Sequence, residues 1–335
     1  MFGRLYDAVV LSDRKWVLPA TVISAVLLVV LVVVSWFWSR EPAIFWVDAN
    51  DAERPATVGY ATTNTLIRVT ETLLDKPGGL IVNDILPPGL VLDNIPSWEV
   101  GVLTQVRDLS RVMRNDYSRS QSQSAEDPDL AGAESRFFID YNKWMLPAAE
   151  REYRKGIESL RQYEVRLLNR DDNNAQFFAR ADNLREWLGQ VEKRLGNLSQ
   201  GLTASVGQSR VNTDLAGESA ATSGGGSQSA DVLVKTPWLK LDNVFFEARG
   251  SAWALVHFLR AAQFDFADVL EDKNATVSLR QIIRELESSL EPLNSPIVLN
   301  GSGYGMFANH SLVMASYLSR ANAAVIDLRE LLDQG

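Results

Sequence analysis

The feature that most constrains this chain is a run of 23 residues without a charge near its start, WVLPATVISAVLLVVLVVVSWFW. The run begins at Trp16 and ends at Trp38. As an α-helix it would be about 34 Å long, enough to cross a hydrocarbon core of about 30 Å. Tryptophan at both ends is typical of residues that lie at the two membrane interfaces. We therefore predict one transmembrane helix over residues 16–38, with the lipid bilayer as its partner.

A cleaved signal peptide is the alternative for this run. Signal peptides have an apolar region of about 7–15 residues, followed by small residues at the cleavage site. The run here is longer and continues into the bulky sequence SWFWSREP. These two differences favour an anchor that stays in the protein.

The charges that flank the run predict its orientation. Arg14 and Lys15 precede it, whereas Arg40 follows it with Glu41 beside it. Because cytoplasmic flanks are enriched in basic residues, the short tail of residues 1–15 is predicted to be cytoplasmic. The chain would then be a single-pass membrane protein with its C-terminal body outside the cytoplasm; in a bacterial cell this is an inner-membrane protein with a periplasmic body.

Composition excludes several classes of function. The net charge of the 335 residues is −9, and the first 38 residues contribute three basic and two acidic side chains, which leaves −10 for the rest. Such an acidic body repels nucleic acid, so no nucleic-acid partner is expected. The chain has no cysteine, which excludes disulfides, thiolate metal sites and cysteine nucleophiles.

Apolar residues at spacings of three and four predict a mainly α-helical body. The pattern is longest over residues 177–202 and is preceded by a similar pattern over residues 153–167. We predict a periplasmic helical bundle in which these two segments form a long antiparallel αα-hairpin. A coiled-coil dimer through the same apolar stripe is the alternative.

A Gly/Ser-rich stretch divides the body in sequence. Residues 205–235 include SGGGSQS and are predicted to be a flexible linker or loop. The chain would then comprise a first helical region over residues 39–204 and a second over residues 236–335.

Prolines and capping residues predict local structure in two places. Residues 80–99 contain three prolines and are predicted to be extended, with their Leu, Ile and Val side chains packed beneath, up to a helix that opens at Ser97 or Trp98 and runs to about Asn115. Asp127 and Pro128 are suited to begin a helix, as its N-cap and first residue. That helix is predicted to run to Pro147.

A second apolar stretch, FFEARGSAWALVHFLRAAQFDF, is predicted to be a buried helix. Its charged residues cost too much inside a bilayer for a second span. They are Glu247, Arg249, Arg260 and Asp265. An unbroken apolar seam runs from Phe245 to Val269, with Asp242 as the predicted N-cap. His257 lies off this seam and is predicted to be at the surface or at a second interface.

The candidate ligand site is the glycine-rich stretch PIVLNGSGYGMF. Gly301, Gly303 and Gly305 alternate just before a helix, and His310 follows them. The stretch lacks the spacing of a nucleotide-binding loop and is typical of a flexible lead-in to a helix. A pocket that binds an anion or another ligand, formed by these glycines and His310, is the alternative.

No catalytic residue, metal or cofactor is predicted. A pair of carboxylates drawn from Glu247, Asp265, Glu271 and Glu285 would suit glycan hydrolysis, but a chain with 42 acidic residues contains such pairs by chance. A metal site would need both histidines, His257 and His310, and the sequence has no metal-ligand spacing around them.

Four strings carry a resemblance to a known family. They are LPPGLVLDNIPSWEVGVLTQVRDLSR, SRSQSQSAEDPDL, FFEARGSAWAL and NGSGYGMFANHSLVMASYLSRANAA. The chain resembles a domain-of-unknown-function family of single-span proteobacterial inner-membrane proteins. The resemblance implies one N-terminal span and implies no reaction, ligand or catalytic residue.

The leading hypothesis from the sequence is a non-enzymatic scaffold or adaptor of the cell envelope. Its long apolar seams and its tether suit a helical surface that binds an envelope protein or a second copy of the chain. A ligand- or lipid-binding envelope module is one alternative. A hydrolase that acts on cell wall or lipid is the other.

Overall fold

A computed structural model describes residues 2–47, 57–120, 125–169, 174–211, 231–293, 295, 297–302 and 306–334. Within these residues the protein is mainly α-helical, with one short two-stranded antiparallel sheet. The helices are α1 (Phe2–Trp38), α2 (Tyr60–Asp75), α3 (Asn94–Val112), α4 (Pro128–Phe137), α5 (Ala149–Leu168), α6 (Ala181–Thr203), α7 (Leu241–Asp265), α8 (Ala267–Asp272), α9 (Thr276–Ser289) and α10 (His310–Asp333). The strands are β1 (Gln208–Val211) and β2 (Asp231–Val234).

Helix α1 contains the predicted apolar run, and its last residue, Trp38, packs against the body. Its segment Pro19–Trp38 has a mean hydropathy of 2.7, and none of it is buried. By length and composition it is the one helix of the described residues that could cross a membrane. The stretch that forms α7 does not meet this condition, in agreement with the predicted buried helix.

The helices of the body run alternately up and down between two ends. Helix α7 begins near the end of α1, as shown by the ion pair between Arg249 in its first half and Glu41. Helix α2 begins at the opposite end, where Asp265 at the end of α7 binds its first backbone N–H groups. We call these the α1 end and the far end. Helices α3, α5, α7 and α10 begin at the α1 end, and α2, α4, α6 and α9 finish there.

Helix α7 is the centre of the core and packs on α3, α2 and α9. Its predicted seam is buried, and small residues let neighbouring helices approach on other faces. A Cβ atom on Gly101 would lie 2.1 Å from the carbonyl oxygen of Glu247, and one on Gly250 would lie 2.0 Å from that of Trp98. The backbones of α3 and α7 therefore touch at this crossing, and neither glycine position has room for a side chain.

The two sequence regions on either side of residues 205–235 share one hydrophobic core. Buried residues of α2, α3, α5 and α6 belong to the same cluster as those of α7, α9 and α10. The ends of the predicted linker form the β1–β2 pair, and its middle, residues 212–230, lies outside the described residues.

The helical class is confirmed, whereas the pairing inside it differs from the predicted hairpin. Helix α5 packs on α4 and α2, and α6 packs along α10. The apolar stripe of α6 is thus covered within the chain, but by the last helix instead of the preceding one. Sequence proximity made α5 the expected partner, and the stripe itself does not encode which helix covers it.

Local predictions have mixed outcomes. Asp127 caps α4 as predicted, since its carboxylate accepts from the backbone N–H groups of Asp129 and Leu130. The helix ends at Phe137, however, and residues 138–148 form a loop. Asp242 is not an N-cap, because α7 already begins at Leu241.

The proline-rich segment over residues 80–99 also differs in two ways. Only part of its apolar set is packed beneath: Leu80 and Ile81 are buried, whereas Leu86 and Leu90 are exposed. Helix α3 starts within the segment and holds Pro96 in its first turn, where a missing N–H costs little.

Candidate functional site

The segment that follows α1 is docked on the body. Residues 41–47, which we call the junction segment, lie along α7. The carboxylate of Glu41 accepts from the guanidinium of Arg249 at 2.7 Å. The same guanidinium donates to the backbone carbonyls of Ser289, Leu290 and Glu291 at the end of α9. One buried arginine therefore joins the junction segment to two helices, and its charge is paired with a carboxylate.

His257 is the second contact, and its position decides between the two predicted places. It is fully buried, not at the surface, and the second interface that it faces is the junction segment. Its Nε2 atom accepts from the backbone N–H of Phe45 at 3.1 Å, and its Nδ1 atom lies 2.7 Å from the carbonyl oxygen of Trp253. These two bonds require the neutral ring with its proton on Nδ1. The ring also stacks on Phe45, with centroids 3.9 Å apart.

The electrostatics of this contact disfavour a charged imidazole. Burial lowers the pKa of His257 to about 4, and the charges of Arg260 and Arg68 act in the same direction, against the hydrogen bond to Trp253. Arg68 lies 4.2 Å above the ring of Phe45 and donates to the carbonyl of Trp46. Protonation of His257 would place a hydrogen on Nε2 opposite the N–H of Phe45 and would break that bond.

The last residue of α1 has a contact of its own. The ring of Trp38 lies against Gly78, where a Cβ atom would be 2.8 Å from its Cδ2 atom. Gly78 has a φ of +89°, a conformation that favours glycine. The turn that presents it is held by the buried carboxylate of Glu99, which accepts from the N–H groups of Ile81 and Val82 and pairs with Lys76.

The Lys76–Glu99 pair is nearly inaccessible, with each side chain 1% exposed. Burial raises the pKa of Glu99 and lowers the pKa of Lys76, and the charge of each partner opposes the shift of the other. The pair therefore depends on both members being present, because either one alone would be a buried charge without a counter-charge.

The loops at the α1 end carry large apolar side chains that face solvent. Twelve of them are at least half exposed, and we call this set the apolar rim. Its members are Ile85, Leu86, Leu90, Val91, Trp144, Met145, Leu146, Trp238, Leu239, Ile297, Met306 and Phe307. Outside α1 and this set, four of the described residues reach the same exposure: Val165 and Val277 at the far end, Trp46 in the junction segment and Val313 in the first turn of α10.

The predicted pocket residues lie at the same end of the bundle. His310 is the first residue of α10 and lines a cavity of about 240 Å³ together with Arg249, Glu291 and Tyr317. Its Nδ1 atom accepts from the backbone N–H of Leu299.

The glycine-rich loop itself is described only in part. Gly301 lies so close to Phe307 that a Cβ atom would be 2.4 Å from its carbonyl oxygen. Gly303 and Gly305 lie outside the described residues. The backbone N–H of Gly301 donates to the carbonyl of Ala308, and the side chain of Asn309 donates to the carbonyl of Gly301. The three glycines and His310 remain a predicted site.

The candidate carboxylates have separate local contacts. Asp265 binds the N-terminus of α2, Glu285 pairs with Arg320, and burial raises the pKa of Glu247 against the charge of Arg194. Glu271 lines a shallow cavity beside α8. Among the described residues no group of three or more His, Asp or Glu side chains could hold a metal ion.

The sequence analysis missed Glu41, Arg249 and His257 as a set. A signal was present, because Arg249, Trp253, His257 and Arg260 follow one another at spacings of four, four and three. They form a second stripe on α7, away from the apolar seam. Polar and aromatic residues on a stripe of a core helix indicate a second partner, which here is the junction segment.

The fold and site together define a mainly α-helical protein with one candidate membrane-spanning helix, connected to its body through a docked segment. The chain belongs to the bacterial family described as "Uncharacterized protein conserved in bacteria (DUF2333)", whose model matches residues 11–335. No curated protein and no solved structure matches the chain.

Proposed function

We propose that this chain is a single-span inner-membrane protein that holds a rigid helical body at the periplasmic surface and acts there as a non-enzymatic scaffold or adaptor. The observation that carries the proposal is the docked junction segment. A free tether would let the body diffuse around its anchor, whereas here Trp38, Glu41 and Phe45 each contact the body. Such a connection suits a protein that must present a surface at a fixed height and orientation.

The composition of the flanks and the exposure of α1 support the membrane part. Segment Pro19–Trp38 would be a large unburied apolar surface in water, and a bilayer removes that cost. Arg14 and Lys15 on the N-terminal side support a cytoplasmic N-terminus.

Three measurements test this function. In cells, the full chain should stay in the membrane pellet through alkaline carbonate washing, and a reporter at the C-terminus should report from the periplasm. Extraction without detergent, or a cytosolic reporter signal, would contradict the membrane part. For the scaffold part, in-cell crosslinking with mass spectrometry should recover a discrete neighbour or a second copy, and a monomer without neighbours would contradict it.

A ligand-binding module is the second candidate, supported by the cavity beside His310. The cavity has one buried cation, Arg249, and the apolar side chains of Phe245 and Met314 in its wall. Its volume of about 240 Å³ lies just below the usual range for small-molecule sites. A thermal-shift screen of the full chain with envelope lipids and glycans tests it, and the absence of stabilisation by every class would exclude it.

A further inference from the structure

The apolar rim places large exposed side chains at one end of the bundle, and the stability of the body does not require them there. Its members come from four separate loops: residues 76–93, 138–148, 235–240 and the described parts of 290–309. Each loop exposes at least one large apolar side chain, and the most exposed are those of Met306 at 99%, Leu146 at 87% and Trp238 at 81%. Scattered single apolar residues are normal on protein surfaces, but a set gathered at one end of a bundle indicates a binding surface.

The four loops lie at the end where α1 enters the body. Trp38 contacts Gly78 in the first loop, and the side chain of Asn83 in that loop donates to the carbonyl of Lys143 in the second. The third loop leads into α7, which begins at this end. The fourth starts at Leu290 and Glu291, whose carbonyls bind Arg249 beside Glu41.

We propose that the apolar rim inserts into the interfacial layer of the same bilayer that α1 spans, so that the body rests on the membrane through four loops. This inference depends on the membrane part of the proposed function. The contact of Trp38 with Gly78 leaves no slack between the span and the body. Loops at this end are thereby held at the height of the headgroups, where tryptophan side chains such as Trp144 and Trp238 are favoured.

The charges around the rim favour insertion of apolar side chains over attraction to anionic lipid. Exposed Lys143 and Lys240 are accompanied by exposed Asp93 and Glu291. Because both signs are present, the surface has no strong preference for anionic headgroups. The insertion should therefore be the same in zwitterionic and in anionic bilayers, and it should persist at high salt.

A protein partner would also cover apolar loops, but it would have no reason to bind only at the end where α1 enters. The bilayer accounts for both the position and the composition of the rim with one occupant. The far end offers the natural comparison, because its two well-exposed apolar residues, Val165 and Val277, are single valines on helices.

The chain contains no cysteine, so single spin labels can be placed without removing native residues. We would label the full chain at Leu90→Cys, Leu146→Cys and Met306→Cys in the rim. Val277→Cys at the far end is the matched exposed control, and Leu27→Cys in α1 is the positive control. Each variant is reconstituted in phosphatidylcholine vesicles, with and without phosphatidylglycerol. Collisions with oxygen, which concentrates in lipid, and with a water-soluble nickel chelate are then measured.

The proposal expects oxygen collisions to dominate at the three rim positions and at Leu27→Cys, and nickel collisions to dominate at Val277→Cys. Nickel-dominated rim labels beside a lipid-embedded Leu27→Cys label would overturn this proposal and leave the anchor intact. A water-exposed Leu27→Cys label would instead overturn the anchor and the proposed function. Rim labels that are water-exposed in vesicles but protected from both reagents in native membranes would overturn the lipid assignment in favour of a protein partner.

Discussion

The two ends of the bundle use the same device for different purposes. At the far end the buried carboxylate of Asp265 accepts from the N–H groups of Gly59 and Thr62 and so fixes the start of α2. At the α1 end the buried carboxylate of Glu99 accepts from Ile81 and Val82. The second carboxylate has a buried cation as well, Lys76, and the turn that it fixes is the one on which Trp38 rests.

The comparison teaches that the α1 end is built to be both rigid and apolar. Three of its charges, those of Lys76, Glu99 and Arg249, are buried and paired, whereas its exposed loops carry the apolar rim together with charges such as those of Lys143 and Asp93. The far end has the usual arrangement of exposed ion pairs, such as that of Arg185 with Asp333. An inverted distribution of this kind is expected where a protein meets lipid.

The largest effect should follow from breaking the charge pair at the α1 end. Replacement Glu99→Gln leaves Lys76 buried without a counter-charge and should cost about 3–5 kcal/mol of unfolding free energy. Denaturant unfolding of the full chain in detergent measures it. The double variant Lys76→Met/Glu99→Gln removes both charges and should be more stable than Glu99→Gln alone. The single variant Lys76→Met completes the comparison. If the loss of unfolding free energy in the double variant equals the sum of the losses in the two single variants, the two side chains are not coupled.

The next effect concerns pH and the junction segment. The pKa of His257 is about 4 in the folded protein and about 6.5 when unfolded, so the unfolded state binds more protons between these values. The stability contributed by the neutral ring is complete above pH about 6.5 and falls by roughly 3 kcal/mol as the pH approaches 4. Unfolding free energies across this range measure the loss.

Other acidic groups titrate in the same range, so a control variant is needed. His257→Gln keeps an acceptor and a donor but has no proton to gain. The difference in slope between the natural chain and His257→Gln isolates the histidine. Equal slopes would contradict the assignment of a neutral, buried His257.

A smaller effect is expected from the carboxylate at the far end. Asp265→Asn keeps one oxygen but loses the charge that strengthens both hydrogen bonds, which should cost about 1–3 kcal/mol. Hydrogen exchange should localise the loss to the first turn of α2. Asp268 is exposed, so the variant Asp268→Asn is the matched control, and its hydrogen exchange in α2 should change little. Equal exchange in both variants would mean that Asp265 does not hold this helix.

The smallest effect on stability is expected at the apolar rim. Trp144→Ser and Trp238→Ser remove exposed rings, so the unfolding free energy in detergent should change by no more than about 0.5 kcal/mol. A large loss would show that these rings pack within the body. The tryptophan variants would then be as destabilising as Glu99→Gln. The exposed loops of the α1 end would contribute to stability like its buried ion pair, which contradicts the comparison.

The helices were predictable from the sequence where the pattern is local and long. The seam of α7 and the capping by Asp127 depend on neighbours within a few turns, and both were correct. The end of α4 and the partner of α6 depend on contacts distant in sequence, so periodicity gave the wrong boundary and the wrong neighbour.

The site was predictable only in part, for the same reason. The bond between Phe45 and His257 spans 212 positions in the chain. A single histidine off an apolar seam is compatible with the surface as well as with a second interface. The stripe formed by Arg249, Trp253 and His257 distinguishes the two, but the sequence does not show that the apolar residues of segment 41–47, EPAIFWV, are its partner.

The central claim is that α1 and the body move as one unit, and a distance between two spin labels tests it most directly. Labels at Ser39→Cys, just beyond α1, and at Asp272→Cys, at the far end, would be measured by pulsed electron resonance in lipid nanodiscs. We expect one narrow distance distribution that broadens when Phe45→Ala removes the stacking on His257. A broad distance distribution in the labelled chain that keeps Phe45 would contradict the claim, because the body would then be joined to α1 by a flexible tether.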